Sequence, residues 1–217
     1  MYFAIEGVIG AGKTSLARLL QPAFQAQLLL EVFEENPFLN DFYTDRSRYA
    51  FQTQIFFLLS RYHQQRERVD QILSQEQDLI GDYTFEKDAL FARINLAGDE
   101  LETYNRVHEA LAEKITKPDL VVYLRASTTT LMQRVALRDR PYERQMEESY
   151  MDQLNTAYDN YFINQASHHS PVLTIDTNQM DFVRRPEDLQ WVENRIRQTL
   201  QLAPFQPELP LSSGNIL

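Results

Sequence analysis

Five short apolar runs recur along the chain, separated by longer segments in which apolar residues have helical spacing. The runs lie at 2–5, 28–30, 79–80, 120–124 and 171–175. Each run is almost continuously apolar, which is typical of strands buried on both faces of a parallel sheet. The pattern therefore predicts a five-stranded parallel sheet.

Helical spacing fills the segments between these runs. Gly98 predicts a break in the third segment, Pro141 ends the fourth, and Trp191 and Ile196 are expected core residues of the last. Alternating strands and helices indicate an α/β domain of three layers, with helices on both faces of the sheet. The predicted helices cover 14–25, 46–76, 86–115, 128–139, 145–166 and 187–201.

A length of 217 residues fits one domain. The chain has no internal repeat, no low-complexity tract and no linker. We expect a single domain over residues 1–202. Residues 203–217 contain three prolines and a Ser-Ser-Gly stretch and are expected to form a flexible tail.

Composition excludes several classes of protein. With 43% hydrophobic and 24% charged residues, the chain is neither disordered nor membrane-like. No apolar run approaches the ~20 residues of a membrane span, and the first residues lack the pattern of a secretory signal. The absence of cysteine excludes disulfides, thiolate zinc sites and cysteine nucleophiles, and predicts a cytoplasmic protein.

The formal net charge of -10 makes a nucleic-acid or membrane-surface partner unexpected. A phosphate ligand would need a local cluster of donors rather than a general positive field. Such a cluster is present near the amino end, where three of the six glycines lie within six positions. The segment Gly7-Val8-Ile9-Gly10-Ala11-Gly12-Lys13-Thr14 matches G-x-x-x-x-G-K-[ST], between a predicted strand and a predicted helix.

This motif is typical of a loop that binds a nucleoside triphosphate. Glycines let backbone N–H groups turn toward a polyphosphate, Lys13 reaches the outer phosphates, and the Thr14 hydroxyl can bind Mg²⁺. We expect residues 7–15, which include Ser15, to bind the cofactor at the amino end of a helix. The motif alone does not distinguish a kinase from an ATPase or a nucleotide switch.

Three arginines occur late in the fourth predicted helix. Arg134 and Arg138 are one turn apart on one face, and Arg140 follows before Pro141. Guanidinium groups concentrated in this way can bind a transferred phosphoryl group from a lid. The alternative is a solvated basic helix end, which the helix dipole would favour.

An ordered set of further motifs lies along the chain. The motifs are Gly7–Ser15, Glu31-x-x-Glu34-Glu35-Asn36-Pro37-Phe38-Leu39, Tyr43, Gln54 through Arg61, Asp82-Tyr83, Phe91-Ala92 and Arg134-x-x-x-Arg138-x-Arg140-x-x-Glu143. In this order they resemble the deoxynucleoside kinases, the group of deoxycytidine, deoxyguanosine and deoxyadenosine kinases, and its bacterial members in particular. The likeness runs from residue 2 to about residue 182. It implies a P-loop kinase fold with an arginine-bearing lid, acting in nucleotide salvage with ATP and Mg²⁺.

The resemblance assigns Glu31 as the base that contacts the substrate 5′-hydroxyl. A carboxylate within hydrogen-bond reach of that hydroxyl can accept its proton. The family usually has proline next, whereas this chain has Val32, and Glu34 and Glu35 are competing alignments. A solvated loop carboxylate is the structural alternative for Glu31.

Asp82 matches the acidic residue of the family's Glu-Arg-Ser motif, which implies a place near Mg²⁺ and the 5′-hydroxyl. A simple helix cap is the alternative role. Tyr83 stands where many members have arginine, which removes a cation. Arg140 or Arg61 is the expected replacement.

The remaining substrate contacts are also implied by the likeness. Tyr43 and Glu143 match the pair that holds the sugar 3′-hydroxyl, and Gln54 matches the glutamine that binds the base edge. Arg61, two turns after Gln54, could also reach the base. The motif Asp181-Phe182 follows the fifth predicted strand, where the family's donor-adenine loop lies.

The leading hypothesis is an ATP-dependent kinase of a 2′-deoxynucleoside, with a purine favoured. A thymidylate-type monophosphate kinase is the alternative, although the acidic Glu31, Glu34 and Glu35 disfavour a phosphorylated acceptor. A P-loop switch without transfer chemistry is the third. The family is dimeric, so a homodimer through segments 46–76 and 88–115 is expected, and His168-His169 is expected in a surface loop.

Overall fold

The computed structural model describes residues 1–163 and 170–203. Within them, five strands form one parallel sheet in the order β2-β3-β1-β4-β5. The central strand pairs on one side through Tyr2 with Leu79 and on the other through Phe3 with Leu120. The predicted sheet is confirmed. Its strands are β1 (Tyr2–Glu6), β2 (Gln27–Leu29), β3 (Leu79–Gly81), β4 (Leu120–Arg125) and β5 (Val172–Asp176).

The helices follow the predicted segments closely. The third segment divides as expected, because one helix ends at Asn95 and the next starts at Gly98. The short helix Leu39–Thr44 was not predicted, and the predicted helix 145–166 is described only to Phe162. The helices are α1 (Lys13–Phe24), α2 (Leu39–Thr44), α3 (Arg46–Ser74), α4 (Glu86–Asn95), α5 (Gly98–Ala112), α6 (Thr128–Arg138), α7 (Glu148–Phe162) and α8 (Pro186–Thr199).

Alternate residues of β1 pack into two different apolar clusters. Tyr2 and Ala4 pack with Val69 and Ile72 of α3. Phe3 and Ile5 belong to a larger cluster that includes α1, α4 and α7. Side chains alternate between the two faces of a strand, so both faces of the sheet are covered, as predicted for the three-layer fold.

One core expectation was wrong. Ile196 is fully buried in α8, whereas Trp191 is 47% exposed. Val192 and Ile196 are four residues apart and share the buried face, while Trp191 is turned away and has Arg195 over its ring at 6.0 Å. His168 and His169 lie outside the described residues, as does the expected tail beyond Ala203. No helix in the described ranges is long and apolar enough to cross a membrane.

The topology gathers the polar loops at one edge of the sheet. In a parallel sheet the carboxyl ends of the strands lie at the same edge, and the strand order reverses around β1. The glycine-rich loop follows β1, Glu31 follows β2 and Asp82 follows β3. The crevice outside these three strand ends is therefore where a site is expected.

Candidate functional site

The glycine-rich loop between β1 and α1 curls around a lysine ammonium. Lys13 Nζ donates to the carbonyls of Gly7 at 2.7 Å and Val8 at 3.2 Å. Gly10 has a φ of 87°, and a Cβ there would lie 2.9 Å from the Leu131 carbonyl oxygen. Only glycine fits this conformation and this close approach, so the loop has the shape that the motif predicts.

Lys13 is held among charges of both signs. Burial and the neighbouring Lys87 lower its pKa to about 8, against the opposite effect of Glu6, Glu31 and Asp82. An anion bound at the loop would favour the charged form of Lys13, because it would add negative charge beside the ammonium. The loop is thus electrostatically suited to a phosphate.

A cavity of about 530 Å³ opens beside the loop. This volume is within the range of about 300–1,000 Å³ that is usual for small-molecule sites. Apolar walls come from Leu30, Phe57 and Phe91, among others. The cavity brings together most of the predicted site residues, namely Ile9, Gly10, Gly12, Lys13, Thr14, Ser15, Glu31, Tyr43, Gln54, Arg61, Asp82, Arg138, Arg140 and Glu143.

Asp82 connects the nucleotide loop to the segment after β2. Its Oδ2 accepts from the Thr14 hydroxyl at 2.5 Å, and its Oδ1 accepts from the Glu31 backbone N–H at 2.8 Å. Asp82 is almost fully buried. Two oxygen ligands, Thr14 Oγ1 and Asp82 Oδ2, therefore adjoin the cavity. Mg²⁺ is commonly held by one or two such groups together with substrate phosphates and waters, so the donor set fits this ion.

Glu31 lies between two cations. Its Oε1 accepts from Arg61, and its Oε2 accepts from Lys87 Nζ at 2.5 Å. Arg61 also pairs with Asp88, which is fully buried. Burial opposes ionisation of Glu31, but the pairs with Arg61 and Lys87 outweigh it and hold the pKa of this carboxyl well below its usual range.

Position 83 supplies no cation to this arrangement. The Tyr83 ring is buried, and its hydroxyl donates to Gln64 Oε1 at 2.6 Å. Of the two expected replacements for an arginine there, Arg61 pairs with Glu31. Arg140 instead lies 4.1 Å above the Phe33 ring.

A buried glutamate ties the nucleotide loop to the segment after β3. Glu6 accepts from the Gly7 N–H at 3.0 Å and from the Thr84 N–H at 2.6 Å. Burial raises its pKa, an effect that Lys87 and Lys13 oppose. The Glu6 carboxylate thereby holds the starts of two site loops in one geometry.

The last residue of α6 and several residues just after it line the cavity. Arg138 forms a two-pronged ion pair with Glu143, with Nη2 at 2.6 and 2.7 Å from the two carboxylate oxygens. Glu143 is buried, and Arg140 Nη1 lies 3.7 Å from its Oε1. Between them in sequence, the Tyr142 ring lies 5.7 Å from the Tyr43 ring. Burial and neighbouring Tyr150 and Glu143 raise the pKa of Tyr43 well above its usual value, so its hydroxyl keeps its proton.

Six predicted residues do not line the cavity. Arg134 points to the loop after β5, where Nη1 donates to Thr177 Oγ1 at 3.0 Å and Nη2 to the Thr177 carbonyl at 2.5 Å. Asp181 accepts from the backbone N–H of Arg184 at 3.0 Å and so shapes its own turn. Phe182 is buried against the glycine loop, since a Cβ on Gly12 would lie 3.2 Å from its ring. The loop residues Gly7, Val8 and Ala11 also do not line the cavity.

Sequence reasoning missed several cavity residues. Lys87 follows Asp82 by only a few residues, so its proximity to a predicted site residue was the available signal. Thr53 precedes the predicted Gln54, and Arg18 is one turn beyond Thr14. Tyr142 lies within the predicted lid motif itself.

A family model for deoxynucleoside kinases matches residues 3–201. The chain belongs to the deoxynucleoside kinase family. It is 36% identical over 202 residues to a deoxyguanosine kinase of Bacillus subtilis, which covers 92% of this chain and 97% of that protein. It is 35% identical over 193 residues to a deoxyadenosine kinase of Dictyostelium discoideum, covering 87% of this chain and 76% of the relative.

Solved structures of the same family share the fold. A deoxyadenosine kinase from M. mycoides with bound dCTP superposes with a TM-score of 0.78 at 26% identity, covering 91% of this chain and 100% of that one. The same enzyme with bound dATP also gives 0.78. The P-loop kinase fold is thus confirmed, and the family consists of phosphotransferases.

The nucleotide loop should tolerate no side chain at Gly10. We expect Gly10→Ala to abolish detectable ATP binding in isothermal titration calorimetry, because its Cβ would meet the Leu131 carbonyl at a strained φ. Gly98→Ala is the matched control: φ is 54°, and nothing lies within 4 Å of the added carbon. It should cost stability of about 1–2 kcal/mol and leave ATP binding intact. Equal ATP affinity in the two variants would contradict this view of the loop.

Proposed function

We propose that the protein transfers the γ-phosphoryl group of ATP to the 5′-hydroxyl of a 2′-deoxypurine nucleoside. The observation that carries this proposal is the charge balance at the acceptor end of the cavity. Arg61 and Lys87 are both paired with Glu31, and Arg61 is also paired with the buried Asp88. An acceptor that already bears a phosphate would need unpaired cations, so this end suits an uncharged alcohol.

Each residue at the donor end has a defined part in the proposal. Lys13 and the loop N–H groups hold the ATP phosphates, while Thr14 and Asp82 hold Mg²⁺. When bound, Mg²⁺ supplies neutralisation of phosphate charge. The lid residues Arg138 and Arg140 hold the moving phosphoryl group. Arg134 shapes the donor-base loop that contains Asp181 and Phe182, since it bonds that loop at Thr177.

Glu31 accepts the proton of the 5′-hydroxyl. Its carboxylate stays ionised because Arg61 and Lys87 lower its pKa, which makes it a hydrogen-bond acceptor at every physiological pH. A strong base is unnecessary, because phosphoryl transfer passes through a loose transition state in which positioning dominates.

Tyr43 and Glu143 hold the sugar 3′-hydroxyl, and Gln54 binds the base edge. Gln54 is 2% exposed and lines the cavity between the apolar walls that include Phe57. Arg61, although part of the same wall, is committed to two carboxylates. The purine preference is supported by the relatives, which are a deoxyguanosine and a deoxyadenosine kinase.

The wider context of the protein is also part of the proposal. The absence of cysteine supports a cytoplasmic location, and residues 1–202 form one domain. A homodimer through segments 46–76 and 88–115 also belongs to the proposal; within the second segment, Val107 and Leu111 of α5 line a shallow depression on the surface.

A turnover panel tests the function directly. The purified protein with ATP and Mg²⁺ is incubated with each of the four deoxynucleosides and with thymidine monophosphate, and products are separated by chromatography. We expect 5′-monophosphates of deoxyguanosine or deoxyadenosine and no diphosphate. Phosphorylation of thymidine monophosphate alone would identify the thymidylate-type alternative. ATP binding without any product would identify a nucleotide switch.

Glu31 and Glu35 provide a matched pair of carboxylates. We expect Glu31→Gln to lower kcat by about 10²–10⁴-fold, the usual contribution of a general base. Glu35→Gln should leave kcat unchanged, because Glu35 is exposed and does not line the cavity. Steady-state kinetics with saturating ATP gives both values. The reverse ranking would move the base assignment to the competing alignment.

Tyr43→Phe tests the sugar contact without removing the ring that packs on Tyr142. Loss of one hydrogen bond of about 0.5–1.5 kcal/mol predicts a KM for the deoxynucleoside raised by roughly 2- to 13-fold. The 2′,3′-dideoxynucleoside is the control, since it lacks the 3′-hydroxyl and should show the same KM with both proteins. An equal rise with both substrates would place the Tyr43 hydroxyl elsewhere.

A further inference from the structure

Lys87 is a buried lysine to which neither the motifs nor the roles above give a function of its own. It lies in the first turn of α4, is 6% exposed and lines the cavity. Its ammonium is 2.5 Å from Glu31 Oε2, and its position over the Phe91 ring, at 5.8 Å from the centroid, keeps it on the cavity side. A lysine is rarely buried unless it is paired, so the cost of burying it points to a role at Glu31.

Four alternating charges form a continuous chain through the acceptor wall. Lys87 pairs with Glu31, Glu31 with Arg61, and Arg61 with Asp88. The two cations and two carboxylates balance, and the exposed fraction of each side chain is 15% or less. Adjacent residues of α4 supply the two ends of the chain, one cation and one carboxylate.

In this row of charges, the two cations have different partners. Arg61 spans Glu31 and the fully buried Asp88, whose charge it must also neutralise. Without Lys87, one guanidinium would serve two buried carboxylates, and Glu31 would be free to turn toward Arg61 or into the cavity. A carboxylate oxygen has two lone pairs, so Glu31 Oε2 can accept from Lys87 and from a substrate hydroxyl together.

Lys87 also lies at the junction of donor and acceptor ends. It interacts electrostatically with Glu6, which holds the loop after β1, and with Lys13 in the nucleotide loop. The described groups around it are thus Glu31 after β2, Glu6 at the end of β1 and Lys13 at the start of α1.

We propose that Lys87 is a positioning residue of the phosphoryl transfer, which acts by orienting the Glu31 carboxylate toward the acceptor hydroxyl. This inference rests on the function proposed above. It predicts that Lys87 contributes only as long as Glu31 carries a charge. A lysine that merely filled space or stabilised α4 would contribute equally with or without that charge.

The test begins with three single substitutions. Lys87→Met keeps the length of the side chain and removes the charge, and we expect kcat to fall about 10²-fold, the scale of a misplaced reacting group, with KM for ATP changed less than threefold. Lys87→Arg should restore kcat to within about tenfold of wild type, because it keeps the cation. Arg93→Met, on the exposed side of the same helix, should behave as wild type.

A double-mutant cycle supplies the decisive measurement. Calorimetry gives the dissociation constant of the deoxynucleoside, and thermal melting gives Tm, for wild type, Lys87→Met, Glu31→Gln and the double variant. We expect the second substitution to have little further effect on affinity once the first is present. The double variant should also melt above Lys87→Met, since it restores charge balance and folds even if the single variant does not.

Each outcome decides one question. Wild-type kcat in Lys87→Met, or independent effects of the two substitutions on affinity, would overturn the role of Lys87. Failure of Lys87→Arg to restore activity in a folded protein would overturn it as well. If the wild-type protein phosphorylates no deoxynucleoside, the proposed function fails instead, and the Tm cycle still reports whether Lys87 and Glu31 are coupled.

Discussion

The Asp82 carboxylate joins the two halves of the site, and most of the geometry depends on it. One oxygen accepts from the Thr14 hydroxyl at the start of α1, and the other accepts from the Glu31 backbone N–H after β2. Both bonds form because β2, β3 and β1 are parallel neighbours, which bring three loops to one edge of the sheet. A buried carboxylate is costly unless its oxygens are bonded. The two hydrogen bonds that make the burial of Asp82 possible therefore also set the distance between the nucleotide loop and the acceptor pocket.

Charge balance is the second constraint on this pocket. The protein carries a net charge of -10, yet this group of four buried side chains is neutral because Arg61 and Lys87 offset Glu31 and Asp88. Buried ion pairs seldom add much stability, since desolvation cancels much of their attraction. Their value here is orientational: each carboxylate oxygen of Glu31 has one fixed donor, which leaves the remaining lone pairs in defined directions.

The sheet, the nucleotide loop and most cavity residues could be predicted from local patterns. The apolar runs around Phe3 and Val122 predict strands from their own residues alone. Gly10 and Lys13 lie in a motif whose spacing is dictated by phosphate geometry. For Lys87, the only local signal was its closeness in sequence to Asp82, which does not reveal its partner. Its role depends on the partner Glu31, which is 56 residues away in sequence, and no local pattern encodes that pairing.

Two differences between the sequence interpretation and the structure have physical causes. Trp191 was expected in the core together with Ile196, but helical phase places Val192 and Ile196 on the buried face of α8 and turns Trp191 outward. Arg134 shares a helix face with Arg138, yet it bonds the Thr177 carbonyl while Arg138 bonds Glu143. One turn of helix separates the two residues by about 5.4 Å. This distance lets Arg134 reach the loop after β5 while Arg138 reaches the cavity.

The two lid arginines at the cavity are held by the residue assigned to the sugar. Arg138 binds both oxygens of Glu143, and Arg140 Nη1 lies 3.7 Å from one of them. Glu143 is buried, so in the absence of ligand its charge needs these guanidinium groups. A sugar hydroxyl that donates to Glu143 would share in that neutralisation and weaken the hold on Arg138. If the proposed contact between Glu143 and the sugar is made, the same carboxylate therefore links occupation of the acceptor pocket to the position of Arg138.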